Sequence, residues 1–122
     1  MTDFDGLAHA YVAAWNETDA IVRSERVEAL FSPDARYVDP MTISAGHAGI
    51  AATIGAVQEQ FPGWQFTLRP PVDAHHDQVR FAWSLGPAGA EAPVLGFDVA
   101  ECDTDGRIRL VLGFLDQVPA AA

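Results

Sequence analysis

Asp98 sits inside Val94-Leu95-Gly96-Phe97-Asp98-Val99-Ala100, a run with no other polar side chain. Removing water from a carboxyl disfavours its charged form, so Asp98 is expected to titrate above an ordinary aspartate. A neutral carboxylic acid can donate a hydrogen bond, and burying one without a partner or a purpose is costly. The plainer alternative is an acid that reaches water at a sheet edge or pairs with Arg80 or Arg109. Asp39 closes Tyr37-Val38-Asp39-Pro40 at a strand end, where a pocket mouth can form and a carboxylate can act as general base. Aspartate before proline is also a common turn former. Tyr11 lies on an apolar helical face one turn before Trp15, and its hydroxyl needs a partner once buried. A core tyrosine bonded to a carbonyl would show the same pattern.

Other residue types offer less. His75 and His76 are adjacent, so on a strand they point to opposite faces, and His47 opens a helix. No HxxE, HExxH or CxxC spacing accompanies them, and no metal site is expected. The chain has neither a glycine-rich phosphate loop after a strand nor a GxSxG motif. Cys102 has no base near it in sequence, which leaves nucleophilic catalysis without support.

The elements that must position these residues follow from periodicity. Leu7, Tyr11, Ala14 and Trp15 recur at helical spacing, with the helix ending near Asn16. Thr18 or Asp19 can cap a second helix with Val22, Val27, Leu30 and Phe31 on its apolar face, broken by Ser32-Pro33-Asp34. Ala35 to Asp39 reads as a short strand. Gly46 precedes a third helix from about His47 to Phe61, ended by Pro62-Gly63. Four strands then follow: Trp64 to Arg69, closed by Pro70-Pro71; Gln78 to Leu85; Val94 to Cys102; and Arg107 to Gln117. Asp103-Thr104-Asp105-Gly106 is a hairpin signal. Helices followed by closely connected strands indicate an α+β domain with helices on one face of an antiparallel sheet.

Both sheet faces read as covered. Phe81, Trp83 and Leu85, with Phe97, Leu112 and Phe114, are expected to form one outer apolar patch. Such a patch is too large to leave wet and suggests a homodimer.

Composition bounds the rest. The 122 residues suit one domain spanning 1–122, and 49% hydrophobic residues suffice for a real core. A net charge of −10 with no basic run argues against nucleic acid and anionic membranes. No apolar run reaches the roughly 18–20 residues of a membrane span. The start carries acids rather than bases, so no targeting segment is expected, and a single cysteine fits a reducing, cytoplasmic location. Ala120 to Ala122 reads as a frayed tail.

Three segments carry a resemblance across nearly the whole chain. They are Ala35-Arg36-Tyr37-Val38-Asp39-Pro40, Gly46-His47-Ala48-Gly49-Ile50, and Phe97-Asp98-Val99 leading to Asp103-Thr104-Asp105-Gly106-Arg107-Ile108. In this order they resemble the nuclear transport factor 2-like superfamily, which includes the SnoaL-like polyketide cyclases. The resemblance implies a cone-shaped fold with three N-terminal helices packed on a curved, mainly antiparallel sheet. Within it, Leu7-Ala8-His9-Ala10-Tyr11 is similar to the ketosteroid isomerase helix that holds an oxyanion-hole tyrosine. Asp39 falls on that family's general base and Asp98 on its protonated oxyanion-hole acid. Phe31 stands where the family can have a supporting tyrosine, and the third helix, through Ile54 and Val57, supplies no other. The same fold implies that Trp15, Phe61, Trp64 and Leu115 line an apolar pocket.

The resulting expectation is a cofactor-independent isomerase- or cyclase-like enzyme. Asp39 would remove a proton α to a carbonyl while Tyr11 and neutral Asp98 stabilise the oxygen of a small apolar substrate. A non-catalytic domain binding a small apolar ligand is the alternative. Epoxide hydrolysis would need an acid–Arg–acid cluster, for which Arg80 is the available arginine.

Overall fold

The computed structural model describes residues 2–119, which leaves the expected tail at 120–122 outside the described residues. Helix α1 spans Phe4–Asn16; Asp3 caps it by accepting from the Gly6 amide at 2.9 Å. Its buried stripe is Leu7, Ala8, Tyr11, Ala14 and Trp15, the i, i+4, i+8 face that helical spacing requires. Helix α2 spans Ala20–Leu30 and is capped by Asp19, whose Oδ1 accepts from Ile21 and Val22 amides at 2.9 and 3.0 Å. Of the four residues expected on its apolar face, Val27 alone is buried within the helix. Phe31 is fully buried too, but it already begins strand β1, Phe31–Val38. Pro33 therefore lies inside an irregular strand rather than ending a helix, and the register to its neighbour shifts between Phe31 and Arg36. A short strand β2, Ile43–Ala45, folds back antiparallel on β1. Helix α3, Gly46–Gln60, then crosses the sheet.

Strands β3 (Trp64–His75), β4 (Gln78–Pro87), β5 (Val94–Cys102) and β6 (Ile108–Gln117) complete a curved, six-stranded mixed sheet in the order β2-β1-β6-β5-β4-β3. All pairings are antiparallel except β1 with β6. Contrary to expectation, Pro70-Pro71 does not close β3. The strand continues to His75, with its register to β4 shifting between Arg69 and Asp73. As the sheet's edge, β3 has no outer neighbour that needs the missing amide protons.

The register also corrects the expected outer patch. Phe81 pairs with Asp98 and Trp83 with Gly96, so β4 and β5 alternate out of phase. Val79, Phe81 and Leu85 are buried facing the helices, together with Asp98, Ala100 and Val111. Phe97, Leu112 and Phe114 are left on the outer face, where Phe97 stacks on Phe114 at 5.0 Å and Arg80 lies over Phe97. The area that this face could offer a second copy is smaller than expected by three large side chains. Among the described residues, no helix is long and apolar enough to cross a membrane.

Candidate active site

The parallel pairing of β1 with β6 decides where the carboxyls meet. Val38 pairs with Leu112, which brings Asp39, the next residue, beside Gly113. On the other side of β6, Gly113 pairs directly with Asp98. A Cβ at position 113 would come within 2.8 Å of Asp98 Oδ1 and 3.2 Å of Asp39 Cβ. Glycine is therefore the residue that lets the two acids share this wall. One strand over, a Cβ at Gly96 would meet the Trp83 ring at 2.5 Å, so that glycine is what seats the indole beside Asp98. The small residues of β5 and β6 thus fall on the inner face and open a cavity of about 420 Å³ there.

Tyr11, Asp39 and Asp98 all line this cavity, as do Trp15, Phe61 and Leu115. Trp64 does not; it stacks behind Phe61 with ring centroids 4.8 Å apart. Most of the remaining wall is apolar, including Val12, Val57, Phe66 and Leu85. Arg80, the arginine considered for an acid–Arg–acid cluster, is on the outer sheet face. Arg109 pairs with Glu101 instead of Asp98. Among the described residues, no arginine lines the cavity and no cluster of His, Cys, Asp or Glu could hold a metal ion.

Each carboxyl is held by a tyrosine. The Tyr11 hydroxyl donates to Asp98 Oδ2 at 2.5 Å, the short end of the range for hydroxyl donors. The Tyr11 ring is fixed edge-on to Phe81 at 5.0 Å and tilted against Trp15 and Phe31. Asp98 is only 3% exposed, and its Oδ1 makes no hydrogen bond among the described residues. Burial pushes its pKa up to about 6; the Tyr11 bond and the N–H of Trp83, close by though not in hydrogen-bonding geometry, hold it down, while the charge of Asp39 raises it. Tyr11 is pushed well above an ordinary phenol, first by burial and then by the neighbouring Asp98 charge.

The second pair is local. The Tyr37 hydroxyl donates to Asp39 Oδ2 at 2.6 Å. Asp39 Oδ1 accepts from the Met41 and Thr42 amides at 2.8 and 2.9 Å, so the carboxyl also forms the turn after β1. The Tyr37 hydroxyl is raised by burial, then by the charge of Asp98. Its role was legible only as strand periodicity: residues two apart on β1 face the same way. Trp15 spans the two pairs, with its ring 6.2 Å from that of Tyr11 and 5.5 Å from that of Tyr37.

Comparison with known proteins places this geometry. No curated protein matches the chain. A proposed isomerase of the SnoaL-like family from Agrobacterium tumefaciens is 40% identical, with 95% of this chain and 99% of that one covered at a TM-score of 0.90. A proposed polyketide cyclase from Sinorhizobium meliloti shares the fold at 18% identity, with 88% and 93% covered and a TM-score of 0.70. A SnoaL-like protein of unknown function from Burkholderia thailandensis does so at 16% identity, with 94% and 98% covered and a TM-score of 0.74. The sequence profile of the SnoaL-like domain matches residues 8–111, and the chain belongs to that family, within the nuclear transport factor 2-like superfamily.

Proposed function

We propose that this cavity moves a proton to or from a carbon next to a carbonyl in a small apolar molecule, as a ketosteroid isomerase-like or polyketide cyclase-like enzyme. The observation that carries the reading is the gathering of two tyrosine-held carboxyls on one apolar wall, separated by Gly113. Asp39 is the carboxyl a substrate can reach, because it is half-buried and Asp98 is buried. In the proposed step an α C–H bond breaks, and its proton passes to the Asp39 carboxylate. The electron pair forms a carbon–carbon double bond and the carbonyl pair moves to oxygen. Asp39 then returns the proton to another carbon, or the enolate carbon attacks a second carbonyl carbon within the same substrate, whose π pair moves to its oxygen and takes the proton back from Asp39.

The oxygen gains charge, and donors waiting for it accelerate the step. With Asp98 ionised, the Tyr11 proton is already committed to it. The oxyanion role therefore uses the protonated form of Asp98, which burial makes available up to about pH 6 and which a bound apolar ligand favours further by excluding water.

The runner-up is a binding domain without catalysis. It is favoured by one observation, that both tyrosine hydroxyls already donate to carboxyl oxygens. The two readings separate in deuterium oxide with 2-tetralone, a two-ring ketone with acidic α-protons. The enzyme exchanges those protons well above the buffer rate, with kcat/KM falling as pH rises through about 6. Binding of the ketone without exchange above buffer supports the binding domain. Exchange that instead rises through the same pH would make Asp98 the base and reverse the roles of the two acids.

A further inference from the structure

Four buried side-chain atoms make no hydrogen bond within the described residues: Trp15 Nε1, Arg23 Nε, Ser44 Oγ and Asp98 Oδ1. Arg23 and Ser44 do not line the cavity. Trp15 and Asp98 do, and the Trp15 N–H lies near the Tyr11 hydroxyl that donates to Asp98, though not in hydrogen-bonding geometry with it. Trp15 itself is 5% exposed, and its ring is clamped by Tyr11, Tyr37 and Phe66. An indole nitrogen can only donate, and a buried donor without an acceptor is a rare and costly arrangement.

We infer that Trp15 is an oxygen-recognition residue: its Nε1–H donates to the ligand oxygen that also meets the Tyr11–Asp98 pair. This rests on the reading of the cavity as a site for an oxygen-bearing apolar molecule and deepens it. A carbonyl or enolate oxygen has two lone pairs and accepts from two donors, in this cavity Trp15 and protonated Asp98. A hydroxyl does the complementary thing when Asp98 is ionised, accepting from Trp15 and donating to the free Oδ1. The site therefore fits both a ketone and its enol, and the change between them is matched by one proton on Asp98. Ammonium groups, which only donate, are disfavoured, because they would leave the indole N–H unpaired. The cavity of about 420 Å³ sets the size at roughly fifteen non-hydrogen atoms when packed to interior density, one or two rings bearing one recognised oxygen.

The test uses 2-naphthol and naphthalene as probes of the full chain, which differ by the oxygen alone. In wild-type protein labelled with nitrogen-15, the Trp15 indole N–H resonance is expected to move to higher frequency with saturating 2-naphthol and not with naphthalene. Trp15→Phe is expected to reduce the ratio of 2-naphthol to naphthalene affinity about three- to tenfold, the range of one neutral hydrogen bond. Taking the ratio removes the effect of the smaller ring on packing. A ratio unchanged within twofold, or an indole signal that stays put while neighbouring cavity resonances shift, overturns the inference. If Trp15→Phe fails to fold, the wild-type indole signal decides alone. Failure of both probes to bind at millimolar concentration overturns both this inference and the cavity reading beneath it. Failure of α-proton exchange with the indole shift intact overturns catalysis only.

Discussion

The Tyr11–Asp98 and Tyr37–Asp39 pairs are the same two functional groups in nearly the same hydrogen bond, at 2.5 and 2.6 Å. Their surroundings differ in every other respect. Tyr37 and Asp39 are two residues apart, on the end of β1 and the turn after it, and two backbone amides brace the carboxyl from behind. Tyr11 and Asp98 are 87 residues apart, joined only by packing α1 onto the middle of the sheet, and one carboxyl oxygen makes no hydrogen bond among the described residues. A local pair is positioned by backbone geometry and tolerates water. A long-range pair is positioned by the core, and its charge state depends on how completely the core excludes water. One fold thus places two aspartates in different surroundings on either side of Gly113, one half-buried and braced by amides, the other buried.

The largest effect that would break this division of labour is expected at Asp39. Asp39→Asn should slow α-proton exchange by about a hundred- to ten-thousand-fold, the contribution of a general base, while 2-naphthol binding stays close to wild type. A smaller loss in kcat, at most about a hundred- to a thousandfold, is expected for Tyr11→Phe, which takes away the hydroxyl that orients the Asp98 donor. That change also removes the hydrogen bond that holds Asp98 down, so the descending limb of the pH–rate profile should move above pH 6. A profile unmoved by Tyr11→Phe would show that the limb does not report Asp98.

Next comes a change in stability. The folded state raises Asp98 from 3.8 to about 6, so between those values the native chain holds a proton that the unfolded chain has released. Stability attributable to this group is therefore complete below about pH 3.8 and lost as pH rises towards 6. Asp98→Asn, which does not ionise and can still accept from Tyr11, should be more stable than wild type by about 3 kcal/mol at pH 8, with the gain absent at pH 3.5. Urea unfolding at the two pH values measures it; an equal difference at both would show that packing, not charge, sets the effect. The smallest change is expected for Tyr37→Phe. It removes one hydrogen bond from a carboxyl that keeps two amide donors, and kcat should fall no more than about tenfold.

The residues that betrayed the site in sequence were those out of keeping with their neighbours: Asp98 in an apolar strand, and Tyr11 on an apolar helix face. Helix ends were legible for the same local reason, with Asp19 and Pro62-Gly63 marking them directly. What was hidden depends on pairing between strands. Phe81 and Phe97 each alternate cleanly along their own strands, yet nothing in either strand says that Phe81 lies opposite Asp98. Pro70-Pro71 reads as a terminator unless β3 is known to be an edge. Tyr37 looked like an ordinary strand residue because its partner is only two positions away and the turn that exposes the pair is built by that partner.

The parallel contact between β1 and β6 has a consequence for how and when the protein becomes functional. Asp39 finds Asp98 only across Gly113, and Gly113 belongs to β6, the last strand among the described residues. During synthesis, α1, α2, β1 and α3 can form and even pack before that strand has left the ribosome, but the two acids then share no wall. Parallel pairing of segments so distant in sequence is a slow, late step in folding. On the proposed mechanism the two acids can act together only once β6 has docked, and an intermediate that lacks docked β6 would be chemically silent.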